Sequence, residues 1–163
     1  LTRLQALKLV PKLHWDLCSF TEKVSDNFGL QVAPTKVKET LAGYDVIIVP
    51  GGFGTRPLRF DRPFLNWIRT AGDAQLKISV CTGSLVLGAA GFLKNARATT
   101  NFHEYDTLKP YCKEVVRERI VEDGNIITAG AVSSSLDLGL YLCRKWAGED
   151  AEKQVRQRMD YHG

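Results

Sequence analysis

The stretch Ser79-Val80-Cys81-Thr82-Gly83-Ser84 sets a cysteine between a short apolar run and the helical run Ser84-Leu85-Val86-Leu87-Gly88-Ala89-Ala90. A side chain at such a junction stands on a sharp turn at a helix N-terminus. The same strand-turn-helix arrangement forms the hydrolase nucleophile elbow, which exposes the reactive atom and leaves backbone N–H groups free for an oxyanion. The helix dipole favours a thiolate at that place. Cys81 is therefore the expected nucleophile. A cysteine at a strand end is otherwise a small packing residue; Gly83 and the helix behind it turn the reading toward chemistry.

Pro50-Gly51-Gly52-Phe53-Gly54 forms a second unusual turn, directly after the run Val46-Ile47-Ile48-Val49. Glycine lets backbone N–H groups come close to a bound atom. If the two apolar runs are neighbouring parallel strands, Gly52 lies beside Cys81, with Gly51 in support, and one crevice holds a nucleophile and an oxyanion donor. The turn has neither a GxGxxG pattern nor a Gly-Lys-Ser/Thr ending, so a phosphate cradle is not indicated. On its own it is equally compatible with a plain tight turn.

The third stretch, Ala96-Arg97-Ala98-Thr99-Thr100-Asn101-Phe102-His103-Glu104, reads as a short strand running into polar groups. His103 is placed to orient or deprotonate Cys81, with Glu104 or Asp106 behind it. The competing and commoner outcome is a surface histidine opening a short helix over residues 103–108. His14 and His162 are not catalytic candidates. Cys18 and Cys143 read as packing residues, while Cys112, after Pro110 and Tyr111, is expected in an exposed, oxidisable turn.

These residues need a scaffold. Val46–Val49 and Ile78-Ser79-Val80 are short β-branched runs separated by a helical pattern, which reads as strand, helix, strand. Within the helix Asp61 can cap, Pro63 lies in the first turn, Phe64, Leu65 and Ile68 form one apolar face, and Gly72 follows as a stop. Residues 13–18 alternate Leu13, Trp15 and Leu17 against His14, Asp16 and Cys18, which predicts a strand; residues 1–9 read as the end of a helix. Residues 115–121 and 125–128 flank Asp123-Gly124, a strong hairpin signal. Ser133-Ser134-Ser135 opens a helix in which Ser134 and Asp137 have capping-box spacing and Leu136, Leu140, Cys143 and Ala147 share a face. A last helix is expected over residues 150–160. The prediction is one α/β domain over residues 1–163 with a mostly parallel sheet, whose ligands bind at the carboxyl ends of the strands.

Composition agrees with that reading. The 163 residues are 44% hydrophobic and 25% charged, as in one globular domain with a proper core. A net charge of +4, with the charges scattered, argues against nucleic acid as the main partner. The tryptophans lie in different elements and read as packing residues rather than a base-stacking platform. No apolar run approaches the roughly 18 residues of a membrane span, and no signal peptide opens the sequence, so a cytosolic protein is expected. The four cysteines form no CxxC or other close pair, which indicates neither a zinc site nor a CxxC redox motif, and all are taken as thiols.

From Tyr44 to Tyr161 the sequence resembles the ThiJ/PfpI superfamily, and within it the isocyanide hydratase-like branch. The resemblance is most specific in Asp45-Val46-Ile47-Ile48-Val49-Pro50-Gly51-Gly52, in the stretch from Ser79 to Gly91 and in Ala96-Arg97-Ala98-Thr99-Thr100. It implies a flavodoxin-like three-layer α/β/α sandwich of the class I glutamine amidotransferase-like type, usually a homodimer. Cys81 matches the family's nucleophile, Thr82 follows it as in this branch, and Gly52 matches the backbone oxyanion donor. The implied reaction is attack of the Cys81 thiolate on the terminal carbon of an isocyanide, protonation to a thioimidate, and hydrolysis to an N-substituted formamide, with no metal or organic cofactor.

Two departures accompany the resemblance. Asn101 stands where this branch often has histidine, and the family's N-terminal acid beside the cysteine has no counterpart, because Asp16 and Glu22 lie too far along. The sequence opens at Leu1, and the family's first strand is expected to be missing from it. Related amidotransferases need a late His-x-Glu pair that His162-Gly163 does not supply, and the superfamily's peptidases carry histidine in place of Thr82. A non-enzymatic ligand or redox sensor of the same superfamily is the alternative, since a low-pKa thiolate oxidises readily.

Overall fold

The computed structural model describes Leu4, residues 7–26 and residues 28–162. The chain divides into two compact units, Asp16–Val132 and the pairing of Leu1–Trp15 with Ser133–Gly163.

The larger unit is built on a four-stranded sheet. Its strands are β1 (Val46–Val49), β2 (Leu76–Val80), β3 (Ile120–Asp123) and β4 (Ile126–Ala129), in the order β1-β2-β4-β3. β1, β2 and β4 run parallel, and β3 lies antiparallel to β4. Ile78, Ile127 and Ala129 are fully buried, as expected of central strands covered on both faces. The hairpin joins Asp123 to Ile126 through Gly124, whose φ of +60° suits a two-residue turn.

β2 begins earlier than its β-branched run, because Lys77 is buried within it. Its Nζ donates to the Ala74 carbonyl at 2.8 Å and lies 5.3 Å from the centre of the Phe92 ring. Loss of solvation holds that amine below the usual lysine value, with Asp73 opposing. α1 (Arg62–Arg69) is capped as the sequence predicts: Asp61 accepts from the Phe64 N–H at 3.0 Å, and Phe64, Leu65 and Ile68 are buried. Phe20, Phe64 and Trp67 stack together within about 6 Å on this side of the core. α2 (Gly83–Ala89) follows β2 and is buried from Gly83 through Gly88.

Residues 13–18 depart from the expected strand. Only Cys18–Ser19 pairs, parallel to Lys36–Val37, while Trp15 is 41% and Leu17 43% exposed. Leu17 exchanges bonds with Thr35, and among the described residues no strand lies alongside 13–16. Alternation predicts a strand only where a partner supplies the ladder. The first arm of the hairpin is shorter than predicted for the same reason: Glu114–Val115 pairs with Arg97–Ala98 instead, and the chain joins β4 only from Ile120.

In the smaller unit, α3 (Ser134–Ala147) and α4 (Glu149–Arg158) meet at Gly148, whose φ is +87°. Leu140 and Cys143 pack with Ala151, Val155 and Leu4. Leu136 is 44% exposed and leaves the predicted face, with Leu138 and Leu142 buried instead. Ser133, not Ser134, is the N-cap, and no side chain caps the helix. Of the expected N-terminal helix, residues 1–3, 5 and 6 lie outside the described residues. Its stop is visible: Lys8 has φ +53° and the Leu9 N–H bonds the Leu4 carbonyl at 3.0 Å, as at a helix C-terminus. Among the described residues no helix is long and apolar enough to cross a membrane.

Candidate active site

At the end of β2 the Cys81 N–H still bonds the Ala129 carbonyl of β4, at 2.9 Å. The chain then turns sharply, with Cys81 at φ +54°, a left-handed conformation that costs a residue with a Cβ about 1–2 kcal/mol. Two buried hydroxyls hold the turn from below, since Ser84 Oγ and Thr100 Oγ1 each donate to the Cys81 carbonyl at 3.1 Å. Tight packing leaves the turn no room to relax. A Cβ on Gly83 would sit 2.1 Å from the Val49 carbonyl oxygen, and one on Gly51 would sit 2.7 Å from Cys81 Cβ. The parallel register of β1 and β2 therefore brings the glycine turn and the elbow into direct contact.

Gly52, at φ +139°, is fastened through both of its peptide groups. Its N–H donates to Thr82 Oγ1 at 3.0 Å, and its carbonyl lies 2.7 Å from Thr55 Oγ1 and 3.1 Å from Thr82 Oγ1. The two hydroxyl oxygens are 2.8 Å apart, and both threonines are buried. The backbone donor expected to face an oxyanion is thus engaged by the hydroxyl of the residue after the cysteine. Sequence reading missed Thr55, although a threonine three residues after Gly52 has the spacing of a side-chain bond back to the backbone.

Asn101 reaches the sulfur. Its Nδ2 lies 3.5 Å from Cys81 Sγ, and its Oδ1 accepts from the His103 N–H at 3.0 Å, capping the 3-10 turn Phe102–Glu104. The structure does not assemble a Cys81–His103 pair. The His103 ring instead stacks on Phe102, with centroids 4.0 Å apart. Glu104 turns to Arg56, whose Nε and terminal nitrogen approach one carboxylate oxygen at 2.8 and 2.7 Å. Burial alone would raise the Glu104 carboxyl, but hydrogen bonds from Thr107 and Arg56 and the charges of Arg56 and Arg59 outweigh it and hold it below the usual glutamate value. Asp106 pairs with Lys109 at 2.6 Å. Neither carboxylate backs an imidazole, because each has a cation nearer to hand.

The remaining candidates lie elsewhere. His162 contacts Asp160, Cys18 donates to the Tyr44 hydroxyl oxygen at 3.7 Å, and Cys143 is buried. Cys112 is half-buried rather than exposed, donates to the Leu108 carbonyl at 3.6 Å, and has its thiol pushed up by burial. Among the described residues no group of three or more His, Cys, Asp or Glu side chains is placed to hold a metal ion.

This arrangement has known relatives. The chain is 42% identical over 139 residues to the isonitrile hydratase of Pseudomonas putida, covering 85% of this chain and 61% of that protein. It is 28% identical over 165 residues to the HTH-type transcriptional regulator CdhR of Pseudomonas aeruginosa, covering 95% of this chain and 48% of the regulator. The crystal structure of a THiJ/PfpI family protein from Pseudomonas syringae superposes with a TM-score of 0.84 at 29% identity, covering 90% of this chain and 62% of that one. The chain thus spans about three-fifths of the length of the hydratase and of that structure. Its mixed, mostly parallel sheet with flanking helices is the flavodoxin-like α/β fold. Residues 9–145 match the DJ-1/PfpI family, and with the sheet, the elbow and these likenesses together, the chain belongs to that family.

Proposed function

We propose that this protein is a cysteine-dependent hydro-lyase of the isocyanide hydratase kind, with Cys81 as its nucleophile. The observation that carries the reading is a strained elbow cysteine, with an amide donor on its sulfur, in a chain 42% identical to an isonitrile hydratase. In the first step Cys81 Sγ bonds to the terminal carbon of the isocyanide and that carbon takes up a proton, giving a thioimidate. Water then adds to the same carbon, the C–S bond breaks, and an N-substituted formamide leaves with the thiol restored. The isocyanide carbon accepts the nucleophile directly, so the reaction asks for no metal or organic cofactor.

The residues around the sulfur divide this work. Asn101 Nδ2 donates toward Sγ and so orients the sulfur, but an amide is too weak an acid to protonate the substrate carbon. The Gly52 N–H, the backbone donor expected to meet charge developing in the adduct, is bonded to Thr82 Oγ1, so it serves the adduct only when that bond opens. The test is turnover of a simple aryl or alkyl isocyanide by the protein and by Cys81→Ala, side by side. Formamide from the parent and none from the variant is the expected result; formamide from both removes Cys81 from the mechanism.

A second reading draws on the likeness to the regulator CdhR and on the strained turn that presents the Cys81 thiol. In it the elbow thiol is oxidised by a peroxide to a sulfenic acid, as a sensor. Stoichiometric peroxide oxidation of Cys81, together with no formamide from any isocyanide tried, selects this reading.

A further inference from the structure

Three separate segments converge on Cys81, and side-chain bonds close them into a ring. The glycine turn joins the elbow through Gly52 and Thr82, and the elbow joins the 3-10 turn through Cys81 and Asn101. The third side of the ring is the ion pair between Arg56, in the helical turn Thr55–Leu58, and Glu104, which ends the 3-10 turn that Asn101 caps. We propose that the Arg56–Glu104 pair is a positioning clamp that holds the Asn101 carboxamide on the Cys81 sulfur and thereby sets the reactivity of that thiol.

The geometry suits the task. Both Arg56 nitrogens converge on one Glu104 oxygen, a charge-assisted contact whose direction the planar guanidinium fixes. The Glu104 side chain is 13% and the Arg56 side chain 39% exposed, so solvent reaches the pair mainly from the arginine side. On the other side the guanidinium lies 5.2 Å from the centre of the Phe53 ring in its own turn. Asn101 cannot move independently of Glu104. Its side chain bonds the His103 N–H and its carbonyl accepts from the Glu104 N–H at 2.8 Å, so both belong to one hydrogen-bonded turn. Opening the clamp frees that turn to carry the Nδ2 donor away from Sγ.

The inference rests on the proposed role of Cys81 only in its kinetic arm, so alkylation and turnover are measured separately. Alkylation of Cys81 by iodoacetamide is followed by peptide mass spectrometry, with Cys18, Cys112 and Cys143 as internal references. Arg56→Ala and Glu104→Gln are expected to slow Cys81 alkylation about three- to tenfold, as coupled members of one hydrogen-bond network. Arg56→Lys, which keeps the charge but loses the fork, is expected to fall between them and the parent. In an Asn101→Ala background the same substitutions are expected to slow it no further. With an isocyanide, the clamp variants are expected to lower kcat while KM stays near the parent value.

Alkylation within twofold of the parent, or full slowing in the Asn101→Ala background, overturns the clamp. If Arg56→Ala and Glu104→Gln do not fold, the cycle of Arg56→Lys with Asn101→Ala decides by the same criterion. Slowed alkylation without isocyanide turnover in the parent leaves the clamp standing and removes the hydratase reading. Turnover with unchanged alkylation does the reverse.

Discussion

At the carboxyl end of β1 the chain leaves the sheet through Gly51 and Gly52; at the end of β2, paired with it in register, it leaves through Cys81. Both turns use left-handed backbone, Gly52 at φ +139° and Cys81 at φ +54°. The first turn uses residues for which that conformation is free. The second imposes it on a cysteine and pins the strained peptide with the hydroxyls of Ser84 and Thr100. Local strain of this kind persists only where the surroundings over-determine it. Neighbouring strand ends thus separate two jobs: glycines make the space, and the second turn holds the strained residue on which the proposed mechanism rests.

The largest effect should come from filling that space. Gly83→Ala drives a methyl into the Val49 carbonyl, a backbone atom that cannot swing aside, and is expected to cost about 3 kcal/mol in urea denaturation, at the upper end for overpacking. A cost below about 1 kcal/mol would show that the two strand ends are not locked together.

A smaller effect should expose the strain itself. Cys81→Gly and Cys81→Ala both remove the sulfur, but only glycine relaxes at φ +54°. The glycine variant is expected to be more stable than the alanine variant by about 1 kcal/mol. Equal midpoints for the two would mean that the elbow stores no strain.

Acid should separate the clamp from the rest of the site. The Glu104 carboxyl lies below its ordinary value of 4.5 in the fold, so its contribution is complete above that value in the unfolded chain and is lost as pH falls through the lower folded one. Glu104→Gln is expected to flatten the acid limb of the stability profile below about pH 4.5 and to leave its slope near neutrality unchanged. An acid limb as steep in the variant as in the parent would assign that limb to other carboxylates.

The elbow could be read because its signals are local: a buried β-branched run, a cysteine, a glycine and an apolar helix stand in one stretch of the chain. The cap at Asp61 and the hairpin at Gly124 were legible on the same grounds. Residues 13–17 misled because alternation says nothing about whether a neighbouring strand exists. Lys77 lies outside the β-branched run that predicts the strand, and its burial is made possible by a backbone carbonyl and an aromatic face.

His103 and Glu104 had the residue types of a catalytic pair but not the placement. Glu104 finds Arg56, 48 positions away in sequence, and no local pattern carries such a pairing. Thr82 and Asn101 are legible as residues, by position beside Cys81 and at the end of the Ala96–Thr100 stretch. Their partners in the structure, the Gly52 N–H and the Cys81 sulfur, follow from the register of β1 on β2 and from the turn that Asn101 caps.

The proposed bond between Cys81 Sγ and the substrate carbon is open to direct trapping. The protein is mixed with excess isocyanide, quenched in acid and digested, and every cysteine peptide is weighed. A gain of one isocyanide mass is expected on the Cys81 peptide and on none of those of Cys18, Cys112 and Cys143, with formamide release that tracks the adduct. Formamide produced with no adduct on Cys81, or undiminished in Cys81→Ala, would contradict it.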